Sequence, residues 1–415
     1  MMTGDSIDEF VFPGYEAGPQ DSGVDHSRCK LEVAARNLSS YLPYKLPIEF
    51  VPCRDEAESF AYRCNCTFQL VKDEEHKFHF AMRTKGRPIR LGKLFFPIAT
   101  RRVQAAMKGL LEILTASAKD AESVLVKGLT SVTFASAWQD VPTSDCIVTL
   151  LYGEPLNEET WKQEAAYVCQ RLELRQLNGR SKNCLVSVMD DPGACTLRDS
   201  IFIDKSTWTV SLSNSSTADS SIVEAIRYEK PENAFYHPNA NAMKEALQWM
   251  LQRVESIQAE PGGTPCRLLE MYCGCGAHTM ALGKSGMLQE ILAIELDQRL
   301  IQACIHNVKL NQLEDRVRVV QGDAGTWAKR FYKKSSQDYN ILLVDPPRAG
   351  LDETVCEMAK NGSFYHFIYI SCGHKALLRD LERLSDTFEV IHCRQLDLFP
   401  RTDSIETLVH LRRKP

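Results

Sequence analysis

An acidic residue and a thiol each follow a short apolar run in the C-terminal half of the chain. Asp345 opens an Asp-Pro-Pro-Arg sequence directly after Ile341–Val344, and Cys372 comes shortly after Phe367–Ile370. Short apolar runs of this kind are typical of buried parallel strands, and ligands bind beyond the carboxyl ends of such strands. We therefore expect a carboxylate and a nucleophile at one edge of one sheet, available for covalent and acid–base chemistry.

Two glycines follow an earlier predicted strand. Gly274 and Gly276 come after Arg267–Met271, where glycines allow a tight turn and close approach of a ligand to the backbone. The Lys-Ser/Thr pair of a Walker loop is absent, and His278-Thr279 stands in place of the third glycine of a dinucleotide-binding turn. Phosphate groups are therefore not the expected ligand.

Two acidic residues end the next two predicted strands. Glu295 lies about twenty residues after the glycine turn, a position suited to a ribose diol. Asp323 ends the following strand, where it could meet an adenine amino group. This ordered series, completed by Asp345-Pro-Pro, is the pattern of S-adenosylmethionine-dependent methyltransferases. A doubly wound sheet with a purely structural role is the alternative.

The thiol restricts the class of substrate that the site could act on. Carbon 5 of a pyrimidine becomes nucleophilic only after a thiolate adds at carbon 6, and a base must then remove the carbon 5 proton so that the thiol is expelled. Cys372 would supply the nucleophile, and Asp345 would accept the ring N–H. The last two predicted strands are joined without a helical pattern, so the final strand is expected to be antiparallel. Its start would then lie beside Cys372, which makes Glu406 the candidate base.

From about Tyr62 to its end, the chain resembles the tRNA uracil-5-methyltransferases. The matching stretches include Thr84-Lys85-x-Arg87-x-Ile89-Arg90, Pro238-Asn239-Ala240, Leu268–Gly276, Val344–Asp352, Tyr369–Cys372 and Phe399-Pro-x-Thr402 with Glu406. The resemblance implies that Cys372 is the nucleophile and Glu406 the base, and that the target is a uridine in the T-loop of tRNA. It also implies a class I methyltransferase sheet with an antiparallel last strand behind an N-terminal RNA-binding domain.

The expected contacts fall into two groups. For S-adenosylmethionine they are His237, Tyr272, Gly274, Gly276, Glu295, Asp323 and Asp345. For RNA they are Lys85, Arg87, Arg90 and Arg348. The basic stretch continues through Arg101 and Arg102, which are also expected to bind phosphates; a solvated surface is the alternative for the whole stretch.

The chain departs from the family pattern close to the expected site. His237 stands where the family usually has Gln, and Gly373-His374 follows Cys372 where the family usually has Asn-Pro. These departures leave open a catalytically weakened RNA-binding or RNA-folding factor. An RNA cytosine-5-methyltransferase usually has Cys directly after Pro-Pro, where this chain has Arg348. The β-barrel module and iron–sulfur cysteines of bacterial 23S rRNA relatives are not recognisable, which favours tRNA over an rRNA uridine.

The surrounding pattern predicts an α/β protein in three parts. Residues 1–45 form an acidic tail with a short helix near Leu31–Leu42, residues 46–230 an α+β RNA-binding domain, and residues 231–415 the catalytic domain. Strands alternate with helices from about Glu232 onward, as in βαβ units. The final predicted strands are Phe388–Cys393 and Thr407–Leu411.

Length, net charge and cysteine spacing further restrict the class of protein. A chain of 415 residues predicts more than one domain, and a net charge of −5 requires any RNA binding to come from a local basic patch. No apolar run is long enough to span a bilayer, and Met1–Gly18 has no Lys or Arg, unlike a signal or transit peptide, so we expect an intracellular, cytoplasmic protein. We also expect a monomer. The Cys-x-Cys pairs at 64–66 and 273–275 are too tight for common metal sites, so no metal is expected.

Overall fold

The structure is a computed structural model. It describes residues 22–43, 46–75, 77–84, 87–91, 96–120, 122–182, 184–189, 196–213, 223–232, 234, 236–260, 265–334 and 339–415. Within these residues, the α-helices are α1 (Gly23–Leu38), α2 (Arg101–Ser117), α3 (Glu158–Arg171), α4 (Ala240–Gln258), α5 (Ala277–Ser285), α6 (Gln298–Leu310), α7 (Ala324–Lys334), α8 (Glu353–Asn361) and α9 (His374–Leu384).

The described strands fall into three sheets, and eleven of these strands precede residue 232. They are β1 (Ile48–Val51), β2 (Asn65–Lys72), β3 (Phe78–Thr84), β4 (Arg87–Arg90), β5 (Leu129–Ser136), β6 (Cys146–Tyr152), β7 (Gln176–Ser181), β8 (Cys184–Met189), β9 (Thr196–Asp204), β10 (Thr209–Ser211) and β11 (Val223–Pro231). The later strands are β12 (Arg267–Met271), β13 (Glu290–Glu295), β14 (Val317–Gln321), β15 (Ile341–Val344), β16 (His366–Ser371), β17 (Phe388–Leu396) and β18 (Glu406–Arg413).

The chain packs as two compact units. One contains Asp55–Arg198 with Pro238–Ala240, and the other contains Val24–Arg54, Asp199–His237 and Asn241–Pro415. Helix α1 and strand β1 therefore pack with the C-terminal residues. The functional division at residues 46 and 231 stays a prediction, because these units describe packing only.

The second unit is built on a mixed eight-stranded sheet. Its strand order is β1-β17-β18-β16-β15-β12-β13-β14. Strands β12 to β16 are parallel, and β18 runs antiparallel to both β16 and β17, as predicted from the missing crossover helix. Strand β1 adds a parallel edge beside β17. The fold is thus the predicted class I methyltransferase sheet with an antiparallel last strand, and the carboxyl ends of β12 to β16 meet at the edge where β18 begins.

An apolar layer holds this sheet against its helices. Short all-buried strands such as Ile341–Val344 and His366–Ser371 supply one side of it, as expected for strands covered on both faces. Leu38 at the end of α1 is fully buried in the same core cluster. No helix among the described residues is long and apolar enough to cross a bilayer.

The first unit contains a seven-stranded sheet of order β4-β3-β2-β5-β6-β7-β8. Strands β2 and β3 form an antiparallel hairpin, and β6 is almost wholly buried. Helix α3 begins after Asn157, whose side chain accepts a hydrogen bond from the Thr160 N–H at 3.1 Å. This unit carries Arg87 and Arg90 of the basic stretch on β4, and Arg101 and Arg102 at the start of α2.

Candidate active site

The backbone of the turn after β12 adopts left-handed conformations, which favour glycine. Tyr272, Gly274 and Gly276 all have positive φ angles, of 65°, 57° and 88°. A Cβ on Gly276 would lie 2.6 Å from the Cys304 sulfur, whereas one on Gly274 would meet nothing within 4 Å. Gly276 is therefore required for internal packing, while Gly274 leaves open space at the start of α5, where a ligand could approach the backbone.

Glu295 lies at the end of β13, beside this turn. Its carboxylate accepts hydrogen bonds from the backbone N–H groups of Gly274 at 3.0 Å, Leu296 at 2.7 Å and Asp297 at 2.9 Å. These bonds hold the carboxylate at the predicted strand end and couple it to the glycine turn. Asp323 is exposed just before α7, and hydrogen bonds from Thr326 lower the pKa of its carboxyl group.

Strand register brings together the two residues predicted to act on the substrate. Ser371 pairs with Thr407 in the antiparallel β16–β18 ladder, so the register places Glu406 opposite position 372. Glu406 is 3% exposed, and Cys372 is half-buried. Burial raises the pKa of the Cys372 thiol to about 12; Glu406 and Asp345 raise it further, and Arg348 opposes the rise. A raised pKa favours the neutral thiol over the thiolate.

Asp345 follows β15 at the same edge. Burial raises the pKa of its carboxyl group well above the ordinary value, and the nearby Glu406 and Glu270 add to the rise. A raised pKa favours the neutral acid, whose carbonyl oxygen accepts a hydrogen bond while its O–H donates one. The predicted role as an acceptor for a ring N–H is compatible with either form.

Glu270 and His278 were not predicted as site residues. Glu270 is 1% exposed, accepts a hydrogen bond from the Thr279 hydroxyl at 2.6 Å, and has its pKa raised to about 8 by burial. Burial, aided by His237, lowers the pKa of His278 to about 4. Within the described part of the chain, Glu270 Oε1 and His278 Nε2 are buried without a hydrogen-bond partner. The signal in the sequence was a charged residue inside the apolar strand Arg267–Met271.

His237 also lies at the site. Its Nε2 atom is 3.8 Å from Glu406 Oε2, and the His237 side chain is 16% exposed. The residue that replaces the usual Gln of the family pattern is thus beside the candidate base.

The loops after β15 and β16 approach each other closely. A Cβ on Gly373 would overlap the backbone carbonyl of Arg348, so a larger residue there would push the two loops apart. Arg348 is exposed, and its Nη2 donates to the Ser404 hydroxyl at 3.2 Å. Glycine after Cys372 is therefore part of how this chain brings Cys372 and Asp345 together.

The residues predicted to contact RNA differ in where they lie. Lys85 lies outside the described residues, Arg87 and Arg90 lie on β4, and Arg101 is exposed on α2. The prediction for Arg102 was wrong, because this residue is 6% exposed. Its guanidinium donates to the carbonyl oxygens of Ser144 at 3.0 Å, Leu172 at 3.1 Å and Glu173 at 2.7 Å. Among the described residues, no group of three or more His, Cys, Asp or Glu could hold a metal ion.

Comparison with known proteins gives consistent results. The model of the family described as tRNA (Uracil-5-)-methyltransferase matches residues 53–414. The tRNA/tmRNA (uracil-C(5))-methyltransferase of Wolinella succinogenes is 28% identical over 365 residues, which are 85% of this chain and 86% of that protein. The Acinetobacter baumannii (strain ACICU) protein of the same name is 29% identical over 404 residues, covering 93% of this chain and 97% of the relative.

A solved structure shares the fold. The Pyrococcus abyssi tRNA (uracil-54, C5)-methyltransferase, in complex with S-adenosyl-L-homocysteine, aligns with a TM-score of 0.65 at 16% sequence identity. The alignment covers 94% of this chain and 84% of that structure. This chain therefore shares the fold of that structure over most of its length.

Proposed function

The chain belongs to the tRNA (uracil-5-)-methyltransferase family, and we propose that it methylates the T-loop uridine of tRNA through a covalent bond from Cys372. The enzyme is an S-adenosylmethionine-dependent methyltransferase acting on carbon 5 of uracil in RNA. One observation above all supports the residue assignment. The antiparallel register that sets Glu406 opposite position 372 joins a nucleophile and a base from distant parts of the chain.

The site fits the cofactor. Gly274 leaves open space at the turn, and within the described residues Glu270 Oε1 and His278 Nε2 are buried without a hydrogen bond, with Glu270 Oε1 3.8 Å from His278 Nδ1. When bound, S-adenosylmethionine supplies an electrophilic methyl group. The residues proposed to hold it are His237, Tyr272, Gly274, Gly276, Glu295, Asp323 and Asp345, with Glu295 for the ribose and Asp323 for the adenine.

Cys372 carries out the first chemical step on the uracil ring. Its thiolate adds to carbon 6, so that the electrons of the carbon 5–carbon 6 double bond move towards carbon 5 and the oxygen on carbon 4. Because burial and two carboxyl groups hold the pKa near 12, ionisation requires help from docking. Arg348 is the cation in place to favour the thiolate.

Asp345 orients the ring and stabilises the charge that develops on it. In the neutral form favoured by its raised pKa, its carbonyl oxygen accepts the N3–H and its O–H donates to the oxygen on carbon 4. That oxygen gains negative charge when the thiolate adds, so the hydrogen bond strengthens during the reaction.

Glu406 completes the reaction once carbon 5 carries the methyl group. Its carboxylate takes the proton from carbon 5, the electrons of that C–H bond re-form the carbon 5–carbon 6 double bond, and the carbon–sulfur bond breaks. Cys372 leaves as a thiolate, and the product is 5-methyluridine.

Two variants test these roles because Cys372 acts first and Glu406 last. Cys372→Ala should abolish both methyl transfer and any protein–RNA adduct. Glu406→Gln should still add and methylate, then stall as a covalent complex that survives a denaturing gel. Single-turnover reactions with methyl-labelled cofactor and a tRNA transcript measure both. An active Cys372→Ala enzyme would refute the covalent mechanism, and normal turnover by Glu406→Gln would remove that residue as the base.

The same assay separates two forms of Asp345. An Asn at this position keeps one acceptor and one donor, as a neutral acid does, so adduct formation should fall by no more than about tenfold, the scale of one hydrogen bond. Asp345→Leu removes both and should lose about 100- to 1,000-fold. If Asn loses as much as Leu, Asp345 works as a carboxylate instead.

Three further properties go beyond family membership: the RNA substrate, the oligomeric state and the cellular compartment. We propose a tRNA substrate, a monomer and a cytoplasmic location, the first supported by the names of the relatives. Mass analysis of tRNA nucleosides from cells lacking the protein tests the substrate, because 5-methyluridine should disappear from the tRNA pool.

A further inference from the structure

A lysine from the N-terminal helix lies inside the loop that leads to the candidate base. Lys30 of α1 forms an ion pair with Asp397 at 2.5 Å. Its ammonium also donates to the carbonyl oxygens of Phe399 at 2.9 Å, Thr402 at 2.7 Å and Ser404 at 3.1 Å. One cation thus gathers four oxygen atoms of a single loop around itself.

This contact is shielded from solvent. The side chains of Lys30 and Asp397 are 7% and 2% exposed, so water has little access to replace the ammonium. Carbonyl oxygens that converge without a cation repel one another, and a buried carboxylate without its partner is costly. The path of the loop from Asp397 to Ser404 therefore depends on the charge at position 30.

The same helix packs against the residue next to Glu406. Leu31 and Ala34 of α1 form a small buried cluster with Ile405. Helix α1 is itself fixed within this unit, since Leu38 lies in the sheet core and Ser27 accepts a hydrogen bond from the Cys53 N–H at 2.9 Å. The two residues before Glu406 are thus held by a firmly anchored helix.

We propose that Lys30 is a positioning residue for proton removal: by holding the backbone of the loop up to Ser404, it sets the place of the Glu406 carboxylate opposite Cys372. The inference rests on the proposed role of Glu406 as the base. Lys30 lies before residue 53, where the family match begins, and 376 residues before Glu406. It touches neither substrate nor cofactor in this scheme, and acts only through the loop.

Loss of a positioning residue and loss of a residue that only supports the fold slow different steps of the reaction. Loss of stability would lower adduct formation and product release together. Misplacement of the base slows only the step after methylation, so labelled protein–RNA adduct accumulates while adduct formation stays close to the wild-type rate. The partition of label between adduct and free tRNA therefore reports on positioning.

The experiment compares Lys30→Met with wild type in single turnover, using methyl-labelled cofactor and a tRNA transcript. Met keeps the length of the side chain but removes the charge. We expect product release to slow by about 10- to 100-fold, the usual cost of a small displacement of a catalytic group, with adduct visible on a denaturing gel. Lys30→Arg should release faster than Lys30→Met. Arg36→Met removes a charge from an exposed position of the same helix and should behave as wild type.

The outcomes separate this inference from the mechanism on which it rests. If Glu406→Gln stalls but folded Lys30→Met partitions its label as wild type does, the Lys30 inference alone is wrong. If Glu406→Gln releases product normally, the base assignment fails and the inference fails with it. Should Lys30→Met not fold, Lys30→Gln decides, because it also removes the ammonium that holds the loop carbonyls but keeps a polar side chain. An unchanged partition in that variant also overturns the proposal.

Discussion

Glu270 lies in β12 with its carboxyl group away from solvent, close enough to Asp345 to affect its ionisation. Burial raises the pKa of Glu270 to about 8, and Glu270 and Glu406 both raise that of Asp345. Three carboxyl groups in one buried region favour states in which some are protonated. At the residue scale, carboxyl groups of this site can therefore donate hydrogen bonds as neutral acids as well as accept them.

Glu270→Gln should change how stability depends on pH. A carboxyl group whose pKa rises from 4.5 unfolded to about 8 folded contributes stability below pH 4.5 that is lost as pH rises through 8. Gln has no such loss, and the Thr279 hydroxyl can still donate to its oxygen. Without cofactor, the variant should gain about 3 kcal/mol relative to wild type between pH 5 and pH 8.

Denaturant unfolding of both proteins at these two pH values measures the gain. His278 makes a contribution of opposite sign, because its lowered pKa costs stability as pH falls, and its Nδ1 lies 3.8 Å from Glu270 Oε1. If the free-energy difference between variant and wild type is the same at pH 5 and pH 8, the Glu270 carboxyl group is not protonated in the folded protein.

At the scale of elements, the site depends on how closely the loops after β15 and β16 approach. Gly373→Ala places a methyl group against the Arg348 carbonyl, so the two loops must separate and Asp345 must move relative to Cys372. Adduct formation should slow by about 10- to 100-fold, while cofactor affinity stays close to that of wild type.

Single-turnover adduct formation and cofactor titration measure the two effects. Gly153→Ala is the matched control, because the nearest atom to its new methyl group is 3.6 Å away, an ordinary contact. Equal rates for Gly373→Ala and wild type would mean that the loops can separate without disturbing the site.

Much of the catalytic sheet could be predicted from local patterns. Strands such as Ile341–Val344 are short apolar runs closed by Pro, and the orientation of β18 followed from the absence of a crossover helix before it. The position of Glu406 opposite residue 372 followed from that orientation. These features depend on neighbours in sequence or on general rules of sheet topology.

Features that depend on distant partners could not be predicted. Strand β1 pairs with β17 more than 300 residues later, and nothing in Ile48–Val51 identifies its partner. Arg102 belongs to a run of basic residues, a pattern typical of an exposed surface. Its guanidinium is nevertheless buried, because three carbonyl oxygens from two later loops converge on it. Lys30 is buried for the same reason, by a loop near the end of the chain.

At the scale of the whole molecule, binding of tRNA has to overcome a net charge of −5. A local concentration of basic groups is then required, and the predicted one is Lys85, Arg87 and Arg90 in the first unit. Strand β4, which carries the two arginines, is at the end of its sheet and pairs only with β3 among the described strands. Arg102 is excluded from this group because it holds loops together within the unit.

Replacing Lys85, Arg87 and Arg90 by Gln should flatten the salt dependence of tRNA binding. Each lost phosphate contact should lower the slope of log affinity against log salt concentration by about 1, because fewer counterions are released on binding. The control replaces three exposed lysines of the same unit, Lys108, Lys119 and Lys162, and so makes the same change in net charge. Arg102→Gln should instead lower thermal stability. If both triple variants show the same slope as wild type, the basic stretch is a solvated surface, and the RNA is held elsewhere on the molecule.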